Sequence, residues 1–365
     1  MAKRVGVDKW LFFITVLLIV AGLAMVFSAS AVVAQERSHS AYTFVGKQAL
    51  WALAGLAALL LLSRINFAVY KSPLFIYSAL SVTTFLLALV FFFPGLHKTH
   101  RWIRIADFSL QPSEIAKPVL VLFLAWFLST RLGKINQWST LWRAVLIPVI
   151  FVVLIVCQPD LGTALVLAAV TAMMLFLAGL EWKFLFIGLI AALPPLAWLL
   201  IKVPWRLQRM LVFLHPNCDA KVAAGAGYHV CQSLIAVGAG GVAGRGYMEG
   251  AQKLFFLPEA HTDFIFANIA EETGLIGAIV ILLLFVAFGW RGLRTTFRSL
   301  DPFARFAAFG ITMTILLQAL FNISVVLALL PAKGLPLPLI SYGGTSLFFT
   351  LASIGILLNI SRKAD

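Results

Sequence analysis

The amino-acid sequence predicts an all-α membrane protein, a polytopic bundle of about ten transmembrane helices with a large outer loop, about residues 202–263, between the seventh and eighth. Three observations predict it. Hydrophobic residues make up 62% of the chain and charged residues 12%, with a mean hydropathy of +1.00, whereas soluble domains are roughly 45–50% apolar. Apolar stretches near the roughly 20 residues that cross a bilayer recur along the whole chain. Lys and Arg collect in alternate short connections, the asymmetry that sets membrane orientation.

The first stretch, Trp10–Ala34, ends in Val32-Val33-Ala34, a small-residue pattern like a signal-peptide cleavage site. Its apolar run is longer than the roughly 7–15 residues of a signal-peptide core, so it reads as an uncleaved helix. The others are Ala49–Leu62, Leu74–Phe93, Ile115–Leu128, Val145–Cys157, Leu161–Leu180, Phe184–Ile201, Phe264–Trp290, Phe303–Leu330 and Ser346–Ile360. Ala49–Leu62 and Val145–Cys157 are among the shortest, and losing either would invert everything after it. Lys3, Arg4 and Lys9 place the N-terminus inside. Ten spans then return Arg362 and Lys363 to the same side, together with Arg64, Lys71, Arg131, Lys134, Arg291, Arg294, Arg298 and Arg305. The chain reads as one integral membrane domain over residues 1–365. Its net charge of +14 is scattered over these short loops, which suits anionic lipid and not nucleic acid.

The remaining charges sit at the outer ends of the helices, where ionisable groups are costly and therefore functional candidates. Gln111-Pro112-Ser113-Glu114 and Gln158-Pro159-Asp160-Leu161 enter their helices alike, with proline in the first turn and an acid at the positive dipole end. Capping and function weigh evenly for Asp160. Glu114 and Lys117 share a helix face and form a structural ion pair in the simplest account. That account leaves Arg101, Trp102 and Arg104 in the same loop unexplained, a cationic cluster beside an aromatic that suits a phosphate or diphosphate.

The strongest local signal is Pro258-Glu259-Ala260-His261-Thr262-Asp263-Phe264, followed by Glu271 and Glu272. Asp263 and Glu271 would lie on adjacent parts of one helix face, in a proton or cation role, or else Asp263 caps the helix and Glu271 pairs elsewhere. Lys333 is the only charge in a rigid turn leading to Ser341-Tyr342-Gly343-Gly344. Gly238-Ala239-Gly240-Gly241-Val242-Ala243 fits a relaxed dinucleotide fingerprint, but no strand–turn–helix surrounds it. His97 and His100 lack a third metal ligand. The spacing of Cys218 and Cys231 is compatible with a disulfide or with two free thiols.

At these residues the chain resembles the SEDS family (shape, elongation, division and sporulation) of peptidoglycan glycosyltransferases. The likeness is carried by Arg101-Trp102 with Gln111-Pro112-Ser113-Glu114 and Lys117, by Gln158-Pro159-Asp160-Leu161-Gly162-Thr163, by Gly227-Tyr228 with Gln232-Ser233, by His261-Thr262-Asp263-Phe264 with Glu271-Glu272, and by Pro338 to Gly344. Glu259-Ala260 and Lys333-Gly334 resemble the division type more than the elongation type. His229 and Met248 depart from the family pattern in the long outer loop.

The resemblance implies inverting transfer of an undecaprenyl-diphosphate-linked glycan to the GlcNAc 4-hydroxyl of lipid II. Asp263 is then the general base, and Arg101, Trp102, Glu114, Lys117, Asp160, His261, Glu271, Lys333 and Ser341 bind substrate or its diphosphate. It further implies a divalent cation, Mg²⁺ or Mn²⁺, with no ligand set assigned. A class B penicillin-binding protein and other divisome proteins are the expected partners, with no nucleic acid. The expected location is the bacterial cytoplasmic (inner) membrane at the division septum, with both termini cytoplasmic. A lipid II flippase and a non-catalytic scaffold for a transpeptidase are the competing readings. A flippase needs charges spread through the membrane depth, whereas these cluster at the outer helix ends.

Overall fold

The structure, a computed structural model, describes residues 7–93, 100–105, 108–214, 227–254, 256–331 and 334–362. Its helices are α1 (Lys9–Ser38), α2 (Thr43–Leu62), α3 (Phe67–Lys71), α4 (Pro73–Leu89, extended by a 3-10 turn over Val90–Phe92), α5 (Pro112–Ser129), α6 (Trp138–Cys157), α7 (Leu161–Leu177), α8 (Trp182–Ile201), α9 (Pro204–Leu214), α10 (Tyr228–Gly240), α11 (Ile265–Arg298), α12 (Pro302–Val326) and α13 (Gly344–Ser361). Each of the ten predicted stretches is a helix with ends moved by a few residues. The two short ones belong to the 20-residue helices α2 and α6. Among the described residues eight helices are long and apolar enough to cross a membrane, and α7 and the first part of α8 are apolar but shorter.

Helix packing in lipid gains nothing from hiding apolar surface, so contact and buried hydrogen bonds must hold the bundle. Three helices, α5, α12 and α13, form the interior, most of their residues being buried, while α8 presents Phe186, Ile190, Leu193 and Trp198 outward. Asn359 of α13 donates to the carbonyls of Ser63 (2.9 Å) and Ile65 (2.8 Å), closing the C-terminal end of α2. Asp8 caps α1 through the Leu11 N–H (3.0 Å), grips Arg291 at 2.8 Å and donates its own N–H to Ser361 Oγ. The first and last described residues therefore meet at one end of the bundle, beside the Lys71–Asp301 pair that starts α12.

Two features depart from the sequence reading. Two short strands, β1 (Ile103–Ile105) and β2 (Phe108–Leu110), pair antiparallel, with Arg104 opposite Ser109. The expected outer loop also folds back beside α11. Gly274, at φ 65° and ψ −164°, breaks that 34-residue helix, which at roughly 1.5 Å per residue would otherwise run straight for about 51 Å. The carbonyls of Glu271 and Glu272, cut off by the break, accept from the N–H groups of Arg245 and Gly246 (both 3.0 Å). The N–H groups of Leu275 and Ile276 donate to Gly241 and Val242 at 3.0 and 3.2 Å. Four backbone groups at the kink are thus paired, as a low-dielectric setting demands. The Gly-rich run is consequently a backbone-to-backbone packing element: a Cβ at Gly240 would stand 1.9 Å from the Ala270 carbonyl oxygen.

Candidate active site

At the bundle end opposite Asp8, several segments converge: residues 100–105 and 108–114, 158–160, 257–264 and 334–343. Arg101 lies just before β1, where its Nε donates to the Gln158 carbonyl (3.2 Å) and its Nη2 to that of Pro159. The turn it grips is anchored from below, because Gln158 Nε2 donates to Leu87 O at 2.9 Å. Asp160 then caps α7, accepting from the N–H and hydroxyl of Thr163 at 3.2 and 2.9 Å and from Gln111 Nε2 at 3.4 Å.

Asp263 stands before α11, not in it. The helix starts at Ile265 with Phe264 at its cap and no side-chain capping bond, so the capping alternative is excluded, and so is the shared helix face with Glu271. Among the described residues no donor reaches the Asp263 carboxylate. Burial pushes its pKa up to about 7, helped by the charges of Glu259 and Asp160 and opposed by those of Arg101 and Arg209. A carboxyl that changes charge near neutral pH is matched to taking a proton. Its walls are close: a Cβ on Gly334 would lie 2.5 Å from Asp263 Oδ2. Asn322 of α12 donates at 2.7 Å to the Asp263 carbonyl and at 2.6 Å to that of Leu335.

The groups around it are held by their neighbours. His261 sits between the rings of Phe44 (5.1 Å) and Tyr342 (5.7 Å), and its carbonyl accepts from the Tyr342 N–H at 2.9 Å. His229 stacks on Phe264 at 5.9 Å, and burial, then the positive charge of Arg209, lower its pKa against the pull of Glu259. Trp102 is half-buried and Arg104 exposed.

Several predicted site residues are engaged in structural contacts. Glu271 is fully buried, and its carboxylate accepts from Ala251 N–H (2.9 Å), Gln252 N–H (3.2 Å) and Arg245 Nη1 (3.4 Å). It holds the returning loop and offers no acceptor to a substrate. Ser341 Oγ donates to Thr262 O (2.6 Å) and accepts from Leu337 N–H (2.8 Å), so it staples two turns together. Lys117 pairs with Glu114 at 2.7 Å and donates to Gln318 Oε1 at 2.6 Å. That pair lines a small groove between α5, α12 and α13, with Val121, Gln318, Phe349 and Ser353. Lys117 is not among the charges that shift Asp263, whereas Arg101 is. Lys333 and His97 lie outside the described residues. Cys231 is disulfide-bonded, with its partner outside the described residues, and Cys157 is a free thiol.

Sequence reasoning missed Arg209, Asn322, Gln318 and Gly334. Arg209 lies in α9, whose Pro204 start and Arg206/Arg209 spacing three apart on an otherwise apolar segment were the available signal. Gln318 and Asn322 are amides four apart inside an apolar span, a polar stripe that must face a partner. Gly334 was noted only beside Lys333 as a mark of the division type, and no local signal made it a wall of the site.

The pattern shared by the FtsW, RodA and SpoVE proteins, described as cell cycle proteins, matches residues 9–365. The chain is 39% identical to the probable peptidoglycan glycosyltransferase FtsW of Geobacter sp. (strain M18), covering 100% of this chain and 99% of that one. It is 38% identical to stage V sporulation protein E of Bacillus subtilis (strain 168), covering 99% and 98%. Among solved structures it superposes on a chain of a peptidoglycan synthase complex studied for its coordination of polymerization and crosslinking, with a TM-score of 0.80, 28% identity and 98% of both chains covered. The rod shape determining protein RodA of Thermus thermophilus gives a TM-score of 0.72 at 26% identity, over 98% of this chain and 97% of that one.

Proposed function

Because this chain belongs to the FtsW, RodA and SpoVE family of cell cycle proteins, we propose that it serves cell division as a peptidoglycan glycosyltransferase, polymerising lipid II into septal glycan strands. The observation that carries the chemistry is Asp263, a carboxyl with no hydrogen-bond donor among the described residues and a pKa raised to about 7 by burial. In the reaction the GlcNAc 4-hydroxyl of lipid II gives its proton to this carboxylate as its oxygen bonds to the anomeric carbon of the donor glycan. The bond from that carbon to undecaprenyl diphosphate breaks on the opposite face, with inversion. The departing diphosphate carries the electron pair and its negative charge, and Arg101 and Arg209, cations that act on Asp263 among the described residues, lie where they can stabilise it.

We propose that a divalent cation enters this site with the substrate diphosphate. Among the described residues no group of three or more His, Cys, Asp or Glu side chains forms a protein cage, but Mg²⁺ is commonly held by one or two carboxylates plus substrate phosphate oxygens. Glu259, whose charge acts on Asp263, is the carboxylate that would hold it, leaving Asp263 free to take the proton. When bound, it supplies positive charge to the diphosphate. Basic residues at the bundle end formed by Asp8, Arg291 and Ser361 support cytoplasmic termini and a site on the outer face of the bacterial cytoplasmic membrane. The match to a synthase complex that couples polymerization with crosslinking supports a class B penicillin-binding protein as partner, within the divisome.

The test is made with the purified chain in liposomes carrying lipid II and a divalent cation, with and without the transpeptidase. Glycan polymer from the native chain, absent with Asp263→Ala, is expected. Lipid II translocation without polymer would establish the transporter instead. Crosslinking supported equally by native and Asp263→Ala chains would leave only a scaffold.

Gly334→Ala should lower polymerisation by roughly tenfold or more, because the new Cβ displaces Oδ2 and small misplacements of a reacting group are costly. Unfolding temperature should stay near native. The measurement is polymer yield by gel beside a thermal melt in detergent.

A further inference from the structure

The Asp263 side chain has no hydrogen bond of its own among the described residues, so its direction is inherited from its backbone and its walls. Both are held by one amide. Asn322 Nδ2 donates to the Asp263 carbonyl at 2.7 Å and to the Leu335 carbonyl, next to Gly334, at 2.6 Å. Two carbonyl acceptors at these distances can be served only by the NH₂ side of the amide, which fixes its orientation. The residue is 1% exposed on the interior helix α12. One turn away, Gln318 donates to the following carbonyl, Pro336 O, at 2.9 Å.

We propose that Asn322 is a positioning residue for Asp263, its amide fixing the base and the Gly334 wall to one rigid helix so that the carboxylate stays in the desolvated pocket. The inference rests on the glycosyltransferase reading above. Among the described residues the charged groups facing the carboxyl are Glu259, Asp160, Arg101 and Arg209. Without the strap the carboxylate turns toward water and toward Arg101, and both changes favour its charged form. The base then ionises more readily but no longer points at the acceptor hydroxyl.

The experiment uses the full chain in liposomes. Asn322→Leu removes both donors, and Asn322→Asp keeps the shape while setting oxygen against two carbonyls. Three quantities are read: kcat and KM for lipid II, the acid limb of the pH–rate profile, and the pH midpoint for carbodiimide labelling of Asp263 by mass spectrometry. The expected result is a kcat lower by roughly 10²-fold, a KM within about twofold, and an acid limb and labelling midpoint moved below the native position. A merely structural residue would lower protein yield and unfolding temperature and leave the labelling midpoint of the folded fraction unchanged, and that result overturns the proposal. So does native kcat in either variant. If both fail to insert, Asn322→Ser, which keeps one donor, replaces them, and a native midpoint there overturns it equally. A native chain that makes no polymer removes the glycosyltransferase reading, while the labelling midpoints still decide the strap.

Discussion

Asp263→Asn is expected to lower lipid II polymerisation by roughly 10²–10⁴-fold, the range that a positioned general base contributes. The substitution keeps the shape and the Asn322 tether, which goes to the backbone, and removes only the ability to take a proton. In the native chain the rate should fall as pH drops through about 7, because burial raises the carboxyl to that value and only its ionised form is a base. A polymerisation profile flat between pH 6 and pH 8 would contradict the assignment. Stability should respond in the opposite sense. Between the ordinary carboxylate pKa of about 3.9 and the raised value the folded chain holds a proton that the unfolded chain has lost, so stability falls as pH rises across that window and stays reduced above it. Asp263→Asn removes the buried charge and should raise the unfolding temperature at pH 8. A variant that is inactive and also less stable at that pH would mean the carboxylate is structural.

Breaking the Lys253–Glu272 pair should give the largest loss of stability, about 3–5 kcal/mol for removal of one partner of a buried ion pair. The two groups are 4% and 0% exposed and 2.7 Å apart. Ser28 of α1 joins them, accepting from Lys253 Nζ at 2.8 Å and donating to Glu272 Oε1, while Met248 N–H donates to Oε2 at 3.0 Å. Three segments far apart in the chain therefore share one carboxylate. Lys253→Met leaves that carboxylate buried with no cation, and the returning loop loses its attachment to α1. The double substitution Lys253→Met with Glu272→Leu removes both charges and should recover most of the loss, since apolar replacement of a whole buried pair is often near neutral. Unfolding in detergent, followed by heat or denaturant, measures both. Equal losses in the single and double variants would show that the contact geometry, and not the uncompensated charge, carries the stability.

Legibility of the site varied with how local each signal was. Asp263 stood out because an acid beside His261 and Thr262 at the start of an apolar span has few cheap explanations. Glu271 stood out for the same reason and turned out to serve the loop, because sequence shows that a buried carboxylate needs partners but not which N–H groups supply them. Ser341 was singled out within a turn motif, and its hydroxyl is consumed by Thr262 and Leu337. Asn322 and Gly334 act through residues 59 and 71 positions away from them or nearby only in space, so no window of sequence could join them to the base.

The order of the ten apolar stretches and the grouping of the charged residues at their ends follow from the sequence alone. Lipid makes each of these a one-dimensional question of hydropathy and charge. The break at Gly274, the fold-back of residues 241–254, the pairing of β1 with β2 and the tie from α12 to Asp263 were decided only in three dimensions. Each depends on hydrogen bonds between segments distant in the chain, and in a low-dielectric interior a polar group takes whichever partner packing brings within about 3 Å.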